Sequence, residues 1–266
     1  METRGTVGWS RLEKRYTRKD LGKMRGMRQV RIACLAILGL FVGFQVALAE
    51  LPVPMQPQDR NGEEWWAKRM EEKNALAQQG GWDIVFIGDS ITHGLDGSEA
   101  WKKYYEPRKA LNLGFSGDRT EHVLWRLDNG NLEGVDPKAF VVMIGTNNAG
   151  HNRADSAQTA LGVVAIVERL VERYPNAKVL LLGIFCRGEN NDDELRKIND
   201  ATNEMLAKVY PNEGGQVKYL NINDDFLTED GVLSADIMPD RLHPNAVGQE
   251  IWAKAIEADV KAMLGE

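Results

Sequence analysis

The sequence predicts an α/β protein, a three-layer α/β/α sandwich built on a five-stranded parallel sheet. Three observations predict it. Five short apolar runs, at 84–87, 110–113, 140–144, 179–184 and 217–222, have the length and bounding of buried strands. Helix-like stretches separate or follow them, and strands alternating with helices give a parallel sheet covered on both faces. The unusual polar residues gather directly after three of these runs. Ligands of open parallel sheets bind there, beyond the carboxyl ends of the strands.

The elements follow in chain order. Residues 32–49 carry no charge and are almost wholly apolar, with Arg25, Arg28 and Arg31 ahead of them and Ala47-Leu48-Ala49 at their end. That succession reads as a secretory signal peptide over residues 1–49 with a long basic region, cleaved near Glu50. The alternative is an uncleaved membrane anchor. Residues 50–266 then form the folded domain, which is large enough for one well-buried core. After the leader Leu51-Pro52-Val53-Pro54, residues 63–79 read as a helix with Trp65, Met70 and Leu76 as candidate buried positions. The clearest helix is 156–174, where Val163, Val164, Val167, Leu170, Val171 and Tyr174 recur at helical spacing and Pro175 follows. A last helix covers 246–264. No repeat, low-complexity tract or internal linker divides the domain.

Charge separates along the same boundary. Ten of the 33 basic and three of the 39 acidic residues precede residue 32, so the domain keeps 23 basic and 36 acidic groups, a net charge of −13. An acidic domain is a poor partner for nucleic acid or an anionic membrane surface, and no stable membrane association is expected after signal cleavage. The reading is of an exported protein, periplasmic or extracellular. Cys34 leaves with the signal and Cys186 remains alone, so no internal disulfide is expected and the core must hold the fold. The four histidines are scattered without metal-ligand spacing, and no glycine loop cradles a phosphate. Neither metal nor cofactor is expected.

The chemistry sits after the strands. Ile87 is followed by Gly88-Asp89-Ser90, Leu113 by Gly114-Phe115-Ser116-Gly117-Asp118, and Ile144 by Gly145-Thr146-Asn147-Asn148. Ahead of the last helix stands Pro239-Asp240-Arg241-Leu242-His243-Pro244, whose spacing lets a carboxylate and an imidazole meet on one turn. A serine hydroxyl is a weak nucleophile unless a base takes its proton and a third group orients that base. Asp240 can orient His243, and His243 can activate Ser90. The oxyanion of the tetrahedral intermediate would find donors in the backbone N–H groups of Ser90 and Gly117 and the side-chain amide of Asn147.

Ile87-Gly88-Asp89-Ser90-Ile91-Thr92, Gly117-Asp118, Gly145-Thr146-Asn147-Asn148 and Asp240-Arg241-Leu242-His243 resemble the four blocks of the SGNH (GDSL) hydrolases, in the same order. The segment Gly117 to Leu127 is similar to the same segment in catalytic subunits of intracellular platelet-activating-factor acetylhydrolase, and bacterial carbohydrate acetylesterases share the pattern. The resemblance covers about residues 63–264 and departs at the amino terminus, since the mammalian subunits have no export signal. It implies a flavodoxin-like SGNH fold and a serine esterase acting on short-chain, acetyl esters without a cofactor. Acetylated carbohydrate is the expected substrate. A phospholipid-type acetylhydrolase, an acyltransferase using the same residues and a binding module on the same fold are the alternatives.

The other polar candidates have plainer readings. Asp89 shapes the turn that presents Ser90. His93, one helical turn past Ser90, either lines the pocket or sits solvated at its rim. His122 and Trp125 read as packing residues of a helix, and His151 either reaches the pocket mouth or is solvated. Cys186 reads as a buried small hydrophobe. Arg187 is a loop arginine or a contact for an acidic substrate.

Overall fold

The computed structural model describes residues 51–151, 154–212 and 215–266; the signal-peptide reading of residues 1–49 lies outside the described residues. Five strands run as β1 Ile84–Gly88, β2 Ala110–Gly114, β3 Ala139–Met143, β4 Lys178–Leu182 and β5 Val217–Leu220. They pair entirely in parallel in the order β2-β1-β3-β4-β5. Eight helices surround them among the described residues: α1 Glu64–Gln79, α2 Ser90–His93, α3 Glu99–Tyr104, α4 Thr120–Asp128, α5 Thr146–His151, α6 Ser156–Arg173, α7 Glu194–Val209 and α8 Ala246–Leu264. No described helix is long and apolar enough to cross a membrane.

The core explains why the strands read as unbroken apolar runs. Side chains alternate across a sheet, and a parallel sheet is covered on both faces, so both sets must be apolar. On one face Ile84, Phe86, Val141, Met143, Leu180 and Leu182 join Trp101 of α3 and Trp252, Ile256 and Val260 of α8 in a single cluster. Their alternates Val85, Ile87, Phe140 and Val142 are equally buried on the other face. There Phe140 packs on Tyr174, which ends α6, with ring centroids 5.1 Å apart.

Three of the predicted strands end early, β3 by one residue and β4 and β5 by two. Apolar burial continues through Ile184 beyond β4, but the ladder does not. Asn203 of α7 accepts from the Ile184 N–H at 2.7 Å and donates to its carbonyl at 2.8 Å, taking both backbone groups out of the sheet. Helix α1 corrects another expectation. Trp65 is 42% exposed and Leu76 only half-buried, whereas Trp66, Met70, Lys73 and Ala77 form the buried face. A buried indole needs an acceptor, and Trp66 Nε1 finds Asp118 Oδ1 at 2.9 Å. That bond selects the second tryptophan, about 100° around the helix from Trp65, while Met70 is buried as expected.

Candidate active site

Three strand ends lie level, because Gly88 pairs in register with Gly114 on one side and Met143 on the other. Both glycines are required by what lies on them. A Cβ at Gly88 would meet Thr92 Oγ1 and stand 2.5 Å from the Met143 carbonyl oxygen, and one at Gly114 would meet the His93 backbone nitrogen. Helix α2 therefore lies directly on the strand ends, with Ser90 as its first residue. Asp89 caps this helix by accepting the Ile91 N–H at 3.0 Å, the turn-shaping role expected of it.

Ser90 Oγ stands 2.8 Å from His243 Nε2, and His243 Nδ1 stands 2.6 Å from Asp240 Oδ2. The spacing of three residues works through a local turn. Asp240 Oδ1 accepts the backbone N–H groups of Leu242 at 3.0 Å and His243 at 2.7 Å, which leaves Oδ2 for the imidazole. Arg241 adopts the left-handed conformation at φ 58° inside that turn, and its carbonyl accepts the Gly188 N–H at 2.9 Å, tying the turn to the loop after β4. Burial raises the Asp240 pKa, but the hydrogen bonds from the His243 ring and backbone outweigh it and hold the carboxyl below its ordinary value. Asp240 thus stays anionic where an imidazolium beside it would need a counter-charge.

The other predicted residues converge on the same place. Gly117 has φ 72°, and a Cβ built there would lie 3.3 Å from the Arg60 guanidinium, so glycine is set by the backbone and by Arg60. Asn147 is buried and donates from Nδ2 to the Asp118 carbonyl at 3.0 Å. A carboxamide nitrogen carries two hydrogens, so this bond fixes the amide against the Gly117–Asp118 turn and leaves one N–H for another acceptor. Asn148 acts on the neighbouring helix instead. Its Oδ1 accepts the Thr120 N–H at 3.0 Å and its Nδ2 reaches Glu121 at 2.9 Å, securing the start of α4.

A cleft of about 390 Å³ opens beside the serine, lined by Ser90, Ile91, His93, Gly94, Ser116, His243 and Pro244. Of the two readings of His93, the lining one holds. His151 is exposed at the end of α5 and does not line this cleft. Cys186 is buried, and burial pushes its thiol up to about 11. His122 is buried too and accepts the Arg119 backbone N–H, capping its own helix, while Trp125 packs on Trp66 with centroids 5.6 Å apart. Arg187 is half-buried with Nη1 on Thr146 Oγ1 at 3.1 Å.

The sequence reading missed the support beneath the Gly117 turn. Asp118 is fully buried, and its carboxylate receives Trp66, Arg60 at 2.9 Å and Arg126 at 2.7 Å, while Arg60 also donates to the Ser116 carbonyl at 2.8 Å. One signal was available. Arg126 falls on the apolar face of a helix, and an arginine there requires a buried acid.

Comparison with known proteins agrees with this architecture. The GDSL-like Lipase/Acylhydrolase family matches residues 86–251. Platelet-activating factor acetylhydrolase IB subunit alpha1 of Homo sapiens is 34% identical over 218 residues, covering 82% of this chain and 91% of its own. Subunit alpha2 of Rattus norvegicus is 35% identical over 214 residues, covering 80% and 91%. Among solved structures, a GDSL-like lipase from Bacteroides thetaiotaomicron superposes with a TM-score of 0.55 at 21% identity, covering 73% of this chain and 97% of its own. The matches to the acetylhydrolase subunits also correct the expectation of a periplasmic or extracellular protein. These relatives point away from export, and an apolar run with a small-residue end is a cue of composition alone. The chain belongs to the GDSL-like lipase/acylhydrolase family and is an ester hydrolase.

Proposed function

We propose that the chain is a serine esterase that removes acetyl groups from carbohydrate, with Ser90 as nucleophile, His243 as general base and Asp240 as its orienting partner. The observation that carries this reading is the continuous relay from Ser90 Oγ to His243 Nε2 at 2.8 Å and from His243 Nδ1 to Asp240 Oδ2 at 2.6 Å. Ser90 Oγ attacks the ester carbonyl carbon while His243 takes its proton. The oxyanion is held by the N–H groups of Ser90 and Gly117 and the free N–H of Asn147. The carbon–oxygen bond to the alcohol then breaks, and His243 returns the proton to the departing alkoxide. Water, deprotonated by His243, attacks the acyl-enzyme, and the acetate leaves as Ser90 recovers its proton. Each oxyanion donor of this kind is worth about 2.7–4 kcal/mol of barrier.

What supports a hydroxyl-bearing leaving group is His93 and Ser116, two hydrogen-bonding side chains that line the cleft beside Ser90. A second reading, hydrolysis of an acetylated phospholipid, is favoured by the identity to the acetylhydrolase subunits. Both readings share the acetyl group and the same residues. The experiment that tests the mechanism is turnover of p-nitrophenyl acetate by Ser90→Ala. Loss of at least about a thousandfold is expected, with far-UV circular dichroism unchanged, and His243→Ala should match it because triad members act as a unit. A folded Ser90→Ala protein that keeps more than a few per cent of activity would refute the assignment.

A further inference from the structure

The cleft beside Ser90 holds a second imidazole that the hydrolytic cycle leaves idle. His93 ends α2, one turn beyond Ser90, and lines the cleft with Ser116, His243 and Pro244. Its Nδ1 accepts the Ser116 backbone N–H at 3.3 Å and lies 2.9 Å from the Ser116 hydroxyl. A backbone amide can only donate, so Nδ1 holds the lone pair and the ring proton is on Nε2. Burial, reinforced by Arg69 and Lys73 and opposed by Asp96, pushes the imidazole down to about 4, so the ring is neutral at ordinary pH. His93 is therefore a fixed N–H donor. It has no free lone pair with which to replace His243 as base.

The path of the proton says which part of the substrate faces it. His243 returns the proton to the departing alkoxide, so the leaving alcohol stands on the His243 side of Ser90, and the oxyanion stands toward Gly117 and Asn147. The cleft that contains His93 includes His243 and Pro244 but neither Gly117 nor Asn147. It is the leaving-group side.

We propose that His93 is a specificity-determining residue that donates Nε2–H to an oxygen beside the ester on the leaving alcohol, selecting acetates of polyols over those of simple alkanols. The inference rests on the hydrolytic reading of Ser90 and deepens it. A vicinal hydroxyl of a sugar and an oxygen of a glycerol backbone share this chemistry, and a neutral donor asks for no anionic charge. A site built to bond a substrate oxygen rejects the analogue that lacks it, because its own polar group is then left unpaired.

The test compares kcat/KM for 2-hydroxyethyl acetate and for propyl acetate, which has the same shape without the hydroxyl. The wild type is expected to favour the hydroxyethyl ester by about tenfold, the worth of one well-placed hydrogen bond. His93→Leu should lose that preference. His93→Gln should keep most of it, since a carboxamide offers an acceptor to the Ser116 N–H and a donor to the substrate. His93→Phe replaces the leucine variant if the latter does not fold. Two further arms, a monoacetylated methyl xyloside and a 2-acetyl-1-alkylglycerol, identify the source, and a fall of about tenfold in His93→Leu on either supports the proposal. A wild type without preference, or a leucine variant that retains it, overturns the role of His93 while p-nitrophenyl acetate turnover keeps the esterase reading intact. A wild type inactive on every ester overturns the hydrolytic reading instead.

Discussion

Asp89 stands directly ahead of the serine with one carboxylate oxygen on the Ile91 N–H and the other buried without a hydrogen-bond partner. Burial pushes its pKa up from 3.8 to about 7. The folded chain thus holds a proton that the unfolded chain releases. The resulting stabilisation is complete below the unfolded value of 3.8 and is lost as pH rises through about 7. Across that window the stability slope from this one group approaches about 1.4 kcal/mol per pH unit. Asp89→Asn cannot ionise, so the fall in Tm between about pH 5 and about pH 8 should shrink by several degrees relative to the wild type. Thermal unfolding followed by circular dichroism at both pH values decides it, and identical falls in the two proteins would discard the idea. The placement of Ser90, Gly117 and Asn147 after strands and of Asp240 and His243 on one turn could be read from the sequence, and the structure brings Ser90, His243 and Asp240 within hydrogen-bond distance of one another. Asp118 was not read as buried, because its burial depends on Arg60, Trp66 and Arg126, which meet it only in the folded chain.

The segment ahead of α1 acts as a strap on the Gly117 turn, where the proposed oxyanion donors lie. Its Arg60 bonds the Ser116 carbonyl and Asp118 through Nη1, is clamped by both carboxylate oxygens of Glu63 at 2.8 and 2.7 Å, and lies over the Trp65 ring at 5.2 Å. These contacts give the exposed Trp65 its role, which helical periodicity could not reveal: two adjacent tryptophans fit a helix equally well, and only the Trp66–Asp118 bond says which turns inward. The positions of α1, α6 and α8 were legible from apolar spacing and stop signals, and so was the buried face of α6, whereas α7 was not delimited and the choice between the tryptophans of α1 was not legible. Arg60 touches the turn from outside the cleft, so it is a positioning residue. Arg60→Ala should lower kcat by roughly tenfold with KM little changed, since a small displacement of a preorganised donor costs the transition state more than the bound substrate. Arg60→Lys should not restore it, because an ammonium cannot reproduce a fork that meets Glu63 and the Gly117 turn together. Steady-state kinetics on p-nitrophenyl acetate test this, and a rise in KM at constant kcat would show that Arg60 serves binding instead.

At the scale of the molecule, the parallel sheet was legible because both of its faces are buried, so its strands read as apolar runs, and strand–helix alternation then leaves little freedom in topology. The leaving group was not legible, because the same fold and the same strand-end residues serve any ester. What the molecule does constrain is size. The cleft beside Ser90, about 390 Å³, is the one assigned above to the leaving group; for the acyl chain, the sequence carries no long apolar insertion between the strand ends that could form a lid or a tunnel. An enzyme with a long apolar acyl site gains about 0.8 kcal/mol for each methylene it buries, close to fourfold in kcat/KM, so its preference climbs with chain length until the site ends. Without such a site each added methylene contributes nothing and crowds the serine. Specificity constants should therefore fall in the order acetyl, butyryl, octanoyl for one leaving group, as read from p-nitrophenyl esters. Acetate release from acetylated xylan fragments should exceed release from an acetylated phospholipid at matched ester concentration, because the proposed His93 N–H donor beside Ser90 meets a hydroxyl group better than an alkyl chain. A rise in kcat/KM from acetyl to octanoyl would disprove the short acyl site, and faster release from the phospholipid would transfer the assignment to the second reading with the same triad at work.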